Sequence, residues 1–132
     1  IKNAMVNAGG DLRCFGEEEH PVWVRHPENA GHFLPLPALK NAALATSANS
    51  YQHEKSDAAC AHVHGQTRGP AARCFSVSVR ADSCLLADAL TKVAMAAGEK
   101  AVGQITDLNA AVFFVHPDNS VMRYEGEVYA NG

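Results

Sequence analysis

The sequence predicts an α+β fold with an antiparallel or mixed sheet and two helices. Short segments that alternate between apolar and polar residues occur near both ends of the chain, and such alternation is typical of strands with one buried face. Between them, residues 82–108 have the spacing of two consecutive helices. Because the helices are grouped and do not alternate with single strands, this order favours α+β over a doubly wound parallel sheet.

The chain begins with a predicted hairpin. Residues 4–7 and 12–15 are two short strands, and the Gly9–Gly10 pair between them is a tight turn. Paired glycines also let backbone N–H groups approach a phosphate closely, although most such pairs are only turns.

The segment from residue 21 to residue 79 is predicted to contain strands separated by loops. Residues 21–27 form a strand with Val22 and Val24 on one face and Trp23 on the other. Residues 28–37 are rich in Gly, Pro and Asn, which predicts a loop. The later predictions are helix or strand over residues 38–46, a hairpin tip or mobile loop over residues 51–58 and a strand over residues 74–79.

The most regular segment is residues 82–99, which have the periodicity of an amphipathic helix. Asp82 or Ser83 can cap its start, and Gly98 stands where a helix usually ends. The apolar positions recur three or four residues apart and predict one buried stripe. Its members are Leu86, Leu90, Val93 and Ala97, with Ala89 and Ala94 alongside.

A second helix is predicted over residues 99–108, with Val102 and Ile105 facing the core. Proline, aspartate and asparagine then occur together, which is typical of a turn between two strands. The predicted elements are a buried strand over residues 110–115, the turn over residues 116–119 and a return strand over residues 121–124.

Length and composition indicate one globular domain. The chain has 132 residues, of which 47% are hydrophobic, and a net charge of −3, so it has no basic surface for nucleic acid. No apolar segment is long enough to span a membrane, and no signal peptide is visible. The four cysteines include no CxxC pair, so their spacing does not indicate a zinc ribbon or a thioredoxin motif. The chain begins at Ile1, and we expect a processed product or a piece of a longer protein.

Asp88 is an acidic residue among small and apolar neighbours inside the helix predicted over residues 82–99. A carboxylate there must be paired, reach solvent or hold a metal. Thr91 is one turn further on, and a carboxylate and a hydroxyl so placed can hold a hard cation such as Mg²⁺. The alternative is a surface ion pair with Lys92 at the i, i+4 spacing, which spacing alone favours.

A second candidate metal site lies in the segment CAHVH. A strand would place Cys60, His62 and His64 on one face, and all three side chains can bind zinc. No fourth ligand is evident nearby, and histidines on a half-exposed strand are more often bystanders.

Four sequence blocks, in order, give the chain a family resemblance. They are NAMVNAGGDLRCFG, VWVRHP, ALATSANSY and SVSVRADSCLLADALTKVAMAAGEKA, and together they span nearly the whole chain. On these blocks the chain resembles the C-terminal half of the FAD:protein FMN transferases, the ApbE family. The resemblance implies an incomplete ApbE-like fold, with residues 1–132 as a single C-terminal region.

The resemblance also implies an activity and a site. Family members bind FAD and Mg²⁺ and transfer FMN to a Thr or Ser hydroxyl of an acceptor flavoprotein, releasing AMP. The implied metal ligands are the Asp88 carboxylate, the main-chain carbonyl of Ala45 and Thr91, although many members place the threonine where this chain has Lys92. The residues implied to line the nucleotide cleft are Asn7, Gly9, Gly10 and Asp11, with Thr46 and Ser47 beside the metal and phosphates. The resemblance implies no identified catalytic base.

Location is implied by the resemblance in the same way. Family members are typically exported and membrane-anchored, so we expect the bacterial periplasm or the outer face of the inner membrane, with anchoring through an N-terminal segment. An alternative to catalysis stays open, because HVHGQTRGP departs from the family's pattern and the family's N-terminal half is not represented. The alternative is a non-catalytic flavin-binding or structural remnant.

Overall fold

The computed structural model describes residues 1–26, 29, 31–48, 76–116 and 118–126. These residues form two antiparallel sheets, two α-helices and a short 3₁₀ segment, Gly98–Ala101. The predicted α+β class is confirmed. The elements are β1 (Ala4–Ala8), β2 (Asp11–Phe15), β3 (His20–Arg25), β4 (Phe33–Leu39), β5 (Ala43–Ala48), β6 (Ser76–Ala81), α1 (Cys84–Ala97), α2 (Val102–Asp107), β7 (Ala111–Val115) and β8 (Val121–Glu125).

Among the described residues the larger sheet has six strands in the order β1-β2-β5-β6-β7-β8, and every pairing in it is antiparallel. The predicted hairpin at the start of the chain is confirmed: Ala8 pairs with Asp11 across the Gly9–Gly10 turn. Both glycines have positive φ values, 70° and 108°, which glycine adopts without a steric penalty. In this strand order β5 lies between β2 and β6.

Two hydrophobic cores cover the two faces of this sheet. Along β5, Ala43 and Ala45 belong to the core beneath α1, whereas Leu44 belongs to the core beneath the β3–β4 ribbon. This alternation is the period-two pattern of a strand buried on both faces. It decides which face of the sheet each polar residue near the end of β5 can reach.

The β3–β4 ribbon corrects one prediction. Residues 28–37 were predicted to be a loop, but β4 begins at Phe33, and Trp23 pairs with Pro35. Because Pro35 and Pro37 are two positions apart, their missing N–H groups fall on the same side of the strand, where they need not interrupt pairing with β3. The predicted faces of β3 are confirmed, since Val22 and Val24 are buried while Trp23 is exposed.

Helix α1 is capped as the sequence predicts and buries part of the predicted stripe, since Leu90 and Ala94 are buried and Leu86 packs against the core. Ser83 accepts a hydrogen bond from the Leu86 N–H, and Gly98 ends the helix. Val93 is exposed, and so are Ala89 and Ala97, contrary to prediction. The buried side chains are Ala87, Leu90, Thr91, Ala94 and Met95. Small residues form much of this stripe, so the helix can lie close to the sheet, and the larger Val93 faces solvent.

The remaining described elements follow the prediction closely. The second helix is divided into the 3₁₀ segment and α2, with Ile105 fully buried and Val102 packed against the core beneath α1.

Residues 38–46 are not one element, because a turn separates β4 from β5. None of the helices in the described ranges has the length and hydropathy needed to cross a membrane. The predictions for residues 51–58 and for Cys60, His62 and His64 lie outside the described residues.

Candidate functional site

A cluster of polar side chains lies between the end of β5 and the middle of α1. Ser47 follows Ala45 on the face of β5 that packs against the helix, so its hydroxyl points toward α1. Thr91 and Lys92 lie three and four positions after Asp88 on α1, so both are near Asp88 on one side of the helix. The fold therefore brings together four polar side chains from two distant segments of the sequence.

The hydrogen bonds of this cluster form a directed chain. Thr91 Oγ1 donates to the carbonyl oxygen of Asp88 at 2.7 Å, which uses its single proton. The Ser47 hydroxyl therefore donates to Thr91 Oγ1, 2.8 Å away. Lys92 Nζ in turn donates to Ser47 Oγ at 2.7 Å. Both hydroxyl residues are almost completely buried, so these bonds satisfy groups that water cannot reach.

The structure confirms the predicted ion pair between Lys92 and Asp88. Its Nζ lies 2.8 Å from Asp88 Oδ1, and both side chains are half exposed. The same ammonium is 3.5 Å from Thr91 Oγ1. A positive charge thus already stands among the oxygens that the resemblance assigns to a metal.

The donor set of the cluster is chemically suited to Mg²⁺. Carboxylate, hydroxyl and carbonyl oxygens are what this hard cation prefers, and it commonly takes one or two carboxylates together with phosphates and water. Within the described ranges no three His, Cys, Asp or Glu residues come together as a possible metal centre, so Asp88 is the carboxylate on which such a site depends. Ala45 lies two residues before Ser47, inside β5 and opposite Val79. These oxygens fit the ion only when the Lys92 ammonium moves away.

Thr46 faces away from this cluster. Its hydroxyl lies 2.7 Å from the Ser78 hydroxyl, on the face of the sheet opposite α1. Adjacent residues of a strand point to opposite faces, so Thr46 and Ser47 cannot both direct their side chains to one site. A role for Thr46 beside the phosphates stays a prediction.

The Gly9–Gly10 turn lies at the same end of the sheet as the cluster. Leu12 pairs with Leu44, so the preceding turn extends toward the end of β5 where Ser47 lies. The Asn7 side chain accepts a hydrogen bond from the Gly10 N–H at 3.0 Å, which holds the turn. A Cβ at either glycine would meet no atom within 4 Å, so the space beside this backbone is open. The register thus places both predicted groups at one end of the sheet, with Asp11 at the start of β2.

The sequence does not predict two polar contacts of this region, the one between Lys92 and Ser47 and the one between Thr46 and Ser78. The i, i+4 spacing indicates the bond from Lys92 to Asp88 but carries no information about the bond from Lys92 to Ser47, 45 positions away. Ser78 alternates with Val77 and Val79 in the segment predicted as a strand, and that alternation is the only signal of its partner on β5. Neither contact can be derived from local spacing alone.

An open pocket of about 320 Å³ lies at the other end of β5. Its lining includes Lys40 and Arg80. Lys40 forms an ion pair with Glu17 at 2.9 Å, and the hydrogen bond from that carboxylate raises the pKa of Lys40 above its ordinary value. Arg80 lies 3.4 Å from the Glu125 carboxylate. Carboxylates therefore already neutralise both of these cations.

Comparisons with known proteins agree with this architecture. A model of the ApbE family matches residues 1–114. Among curated proteins, no relative matches the sequence.

Several solved structures share the fold. An ApbE protein from Thermotoga maritima is 24% identical and has a TM-score of 0.67, with 93% of this chain covered. The flavin transferase ApbE from Vibrio cholerae is 20% identical with a TM-score of 0.70, and the apo flavinyl transferase ApbE from Pseudomonas stutzeri is 18% identical with a TM-score of 0.68. Each of these two covers 96% of this chain. The chain spans only 41–43% of the length of the three structures.

Proposed function

The chain belongs to the ApbE family, and on this basis we propose that it is the phosphate-binding part of a flavin transferase. FAD is the donor of FMN, a Thr or Ser hydroxyl of a flavoprotein is the acceptor, and AMP is released. One observation carries the proposal. The oxygens of Asp88, Thr91 and Ser47 converge at the end of the sheet where the Gly9–Gly10 turn also lies.

The proposed reaction is the transfer of an FMN phosphoryl group. The acceptor hydroxyl oxygen forms a bond to the FMN phosphorus, the bond from that phosphorus to the AMP oxygen breaks, and the hydroxyl proton is lost to solvent or a base. Such transfers depend on positioning and charge neutralisation more than on covalent help from the protein. When bound, Mg²⁺ supplies that neutralisation on the pyrophosphate.

The roles of the chain's own residues follow from their positions. Asp88 and Thr91, with the carbonyl of Ala45, would hold the ion, and Ser47 would support Thr91 through their hydrogen bond. The Gly9 N–H would be available to a phosphate oxygen, because the space beside this backbone is open, whereas the Gly10 N–H donates to the Asn7 side chain. Asn7 would keep this turn in shape, and Asp11 would line the same cleft.

For location we propose the bacterial periplasm or the outer face of the inner membrane, with anchoring outside the residues described above. This proposal is supported by the family resemblance of the four sequence blocks alone. Detection of the protein in a periplasmic or membrane fraction would test it.

The activity is tested by flavinylation of an acceptor. The full-length protein is incubated with FAD, Mg²⁺ and a flavoprotein fragment that carries a target threonine, and covalent FMN is measured by mass spectrometry. We expect labelled acceptor from the parent protein and a loss of about 99% or more of the initial rate on Asp88→Asn, since removing one group of a preorganised electrostatic site typically lowers rates about 10²–10³-fold.

The control is Asp107→Asn, an exposed carboxylate at the end of α2. Both variants should stay folded, because a half-exposed ion pair contributes only about 0.2–1 kcal/mol. Tight FAD binding without labelled acceptor would instead support the non-catalytic remnant. Absence of FAD binding in the presence of Mg²⁺ would overturn the proposal.

A further inference from the structure

Lys92 is the member of the polar cluster that carries a positive charge. Its ammonium donates to Ser47 Oγ at 2.7 Å and to Asp88 Oδ1 at 2.8 Å. A divalent cation bound to the same carboxylate would be a few ångströms from this ammonium, where like charges repel strongly. The two cations therefore cannot share these oxygens.

We infer that the Lys92 side chain and a divalent cation compete for the side-chain oxygens of Asp88 and Thr91, so that Lys92 lowers the affinity of the site for metal. This inference rests on the proposed function only for the position of the metal. It assigns a regulatory role to Lys92. The lysine ammonium occupies the site, and a metal ion can bind there when the lysine side chain moves away.

Burial decides which member of the cluster moves. Ser47 and Thr91 are 4% and 0% exposed, and Thr91 is bonded to its own helix at the Asp88 carbonyl. The Lys92 side chain is 51% exposed, so it can rotate into water without opening the core. The hydroxyls thus stay in place while the lysine withdraws, and the oxygens left behind are already positioned for a new cation.

The test measures metal affinity without FAD or acceptor. Mn²⁺ is titrated into the full-length protein and its free concentration is followed by electron paramagnetic resonance, with Mg²⁺ competition as a second measurement. Lys92→Met keeps the length of the side chain and removes the charge. We expect it to bind Mn²⁺ at least about tenfold more tightly than the parent, which is the scale on which groups next to metal ligands change affinity.

Lys100→Met is the matched control, because Lys100 is an exposed lysine in the 3₁₀ segment and its loss changes the net charge equally. It should leave the affinity within about twofold of the parent. Lys92→Ala, which adds no metal ligand, is a second variant in case the methionine perturbs folding, and Asp88→Asn in the Lys92→Met background should abolish the tight binding. Equal affinities for the parent and both Lys92 variants, or an equal gain in Lys100→Met, would overturn the inference.

Failure of this inference is distinguishable from failure of the proposed function. A tenfold gain of Mn²⁺ affinity without any flavinylated acceptor supports competition at the site and contradicts catalysis. Flavinylated acceptor together with an unchanged affinity in Lys92→Met contradicts competition and leaves catalysis intact.

Discussion

The hydroxyl oxygens of Ser47 and Thr91 lie 2.8 Å apart, although 44 positions separate the two residues in the sequence. One belongs to β5 and the other to α1, and this polar bond lies next to an otherwise apolar helix–sheet contact. Because a hydroxyl must find a partner when buried, the bond restricts how far α1 can slide along β5. It thereby places Asp88, one turn before Thr91, at the end of the sheet.

Replacing Thr91 by valine tests this connection. The substitution keeps the shape of the side chain but removes the oxygen that accepts from Ser47 and donates to the Asp88 carbonyl. We expect the free energy of unfolding to fall by about 1–2 kcal/mol, since the buried bond between Ser47 and Thr91 is lost and the Ser47 hydroxyl no longer has Thr91 as its acceptor. Urea denaturation measured at equilibrium provides the comparison.

Thr106→Val is the control for this change. Thr106 is only partly buried and bonds to carbonyls of its own helix, α2. Its loss should cost less than about 0.5 kcal/mol, because such local bonds stabilise a helix little. Equal losses for the two variants would show that the Ser47–Thr91 bond does not link α1 to β5.

Most strands and the cap of α1 were predictable because their signals are local. Alternation identified β6, a short apolar segment identified β7, and Ser83 stands directly before the helix it caps. The buried stripe of α1 was not predictable from hydrophobicity, which selects Val93 over Thr91. What decides the stripe is the facing strand: small residues allow close approach to β5, and the Thr91 hydroxyl has a partner there.

Part of the candidate site was predictable in the same sense. The glycine turn and the Asp88–Lys92 pair follow from spacing along the chain. The contacts of Ser47 with Thr91 and Lys92 do not, because they depend on how a helix and a strand are aligned in space. Strand β4 was also not predictable from local signals. It contains two prolines, which indicate a loop unless the pairing partner of the strand is known.

Gly16 is expected to be intolerant of a side chain. Its φ is 100°, and a Cβ would overlap the Asn3 side-chain oxygen and the Lys2 carbonyl. Asn3 cannot simply move, because that oxygen accepts from the Glu17 and Glu18 N–H groups at 2.7 and 3.2 Å. Gly16→Ala should therefore lower the free energy of unfolding by at least about 1–3 kcal/mol.

Gly103→Ala gives the opposite expectation for comparison. Gly103 lies in α2, where a Cβ would meet no atom within 4 Å. Alanine is the better helix former, so this change should leave the protein as stable as the parent or raise its stability by up to about 1 kcal/mol. Thermal unfolding of both variants distinguishes the cases, and a stable Gly16→Ala protein would contradict the strain assigned to that turn.

Stability at alkaline pH should depend on Cys14. Burial raises the pKa of its thiol above the ordinary value of 9.0, while the nearby Arg13 lowers it to a smaller extent. The folded state therefore holds this proton more tightly than the unfolded state. The resulting stability is complete below the ordinary thiol pKa and is lost as the pH rises through the pKa of the folded state.

Denaturation of the parent and of Cys14→Ala between about pH 7 and about pH 10.5 measures this dependence. The parent should lose stability more steeply than the variant above about pH 9. Tyr124 also has a raised pKa, owing to burial and the nearby Glu99 carboxylate, but it is present in both proteins and cancels in the comparison. Parallel curves would show that the Cys14 thiol does not contribute.

Ser83→Ala should weaken α1 at its first turn. The Ser83 hydroxyl accepts from the Leu86 N–H at 3.2 Å, and without it this N–H in the first turn loses its capping partner. We expect a loss of about 1 kcal/mol in the free energy of unfolding, measured in urea, and full recovery with Ser83→Asn, which also caps helices well. Asp82→Ala serves as the control, since Asp82 is exposed and precedes the cap. An equal loss in Asp82→Ala would contradict the assignment of Ser83 as the cap.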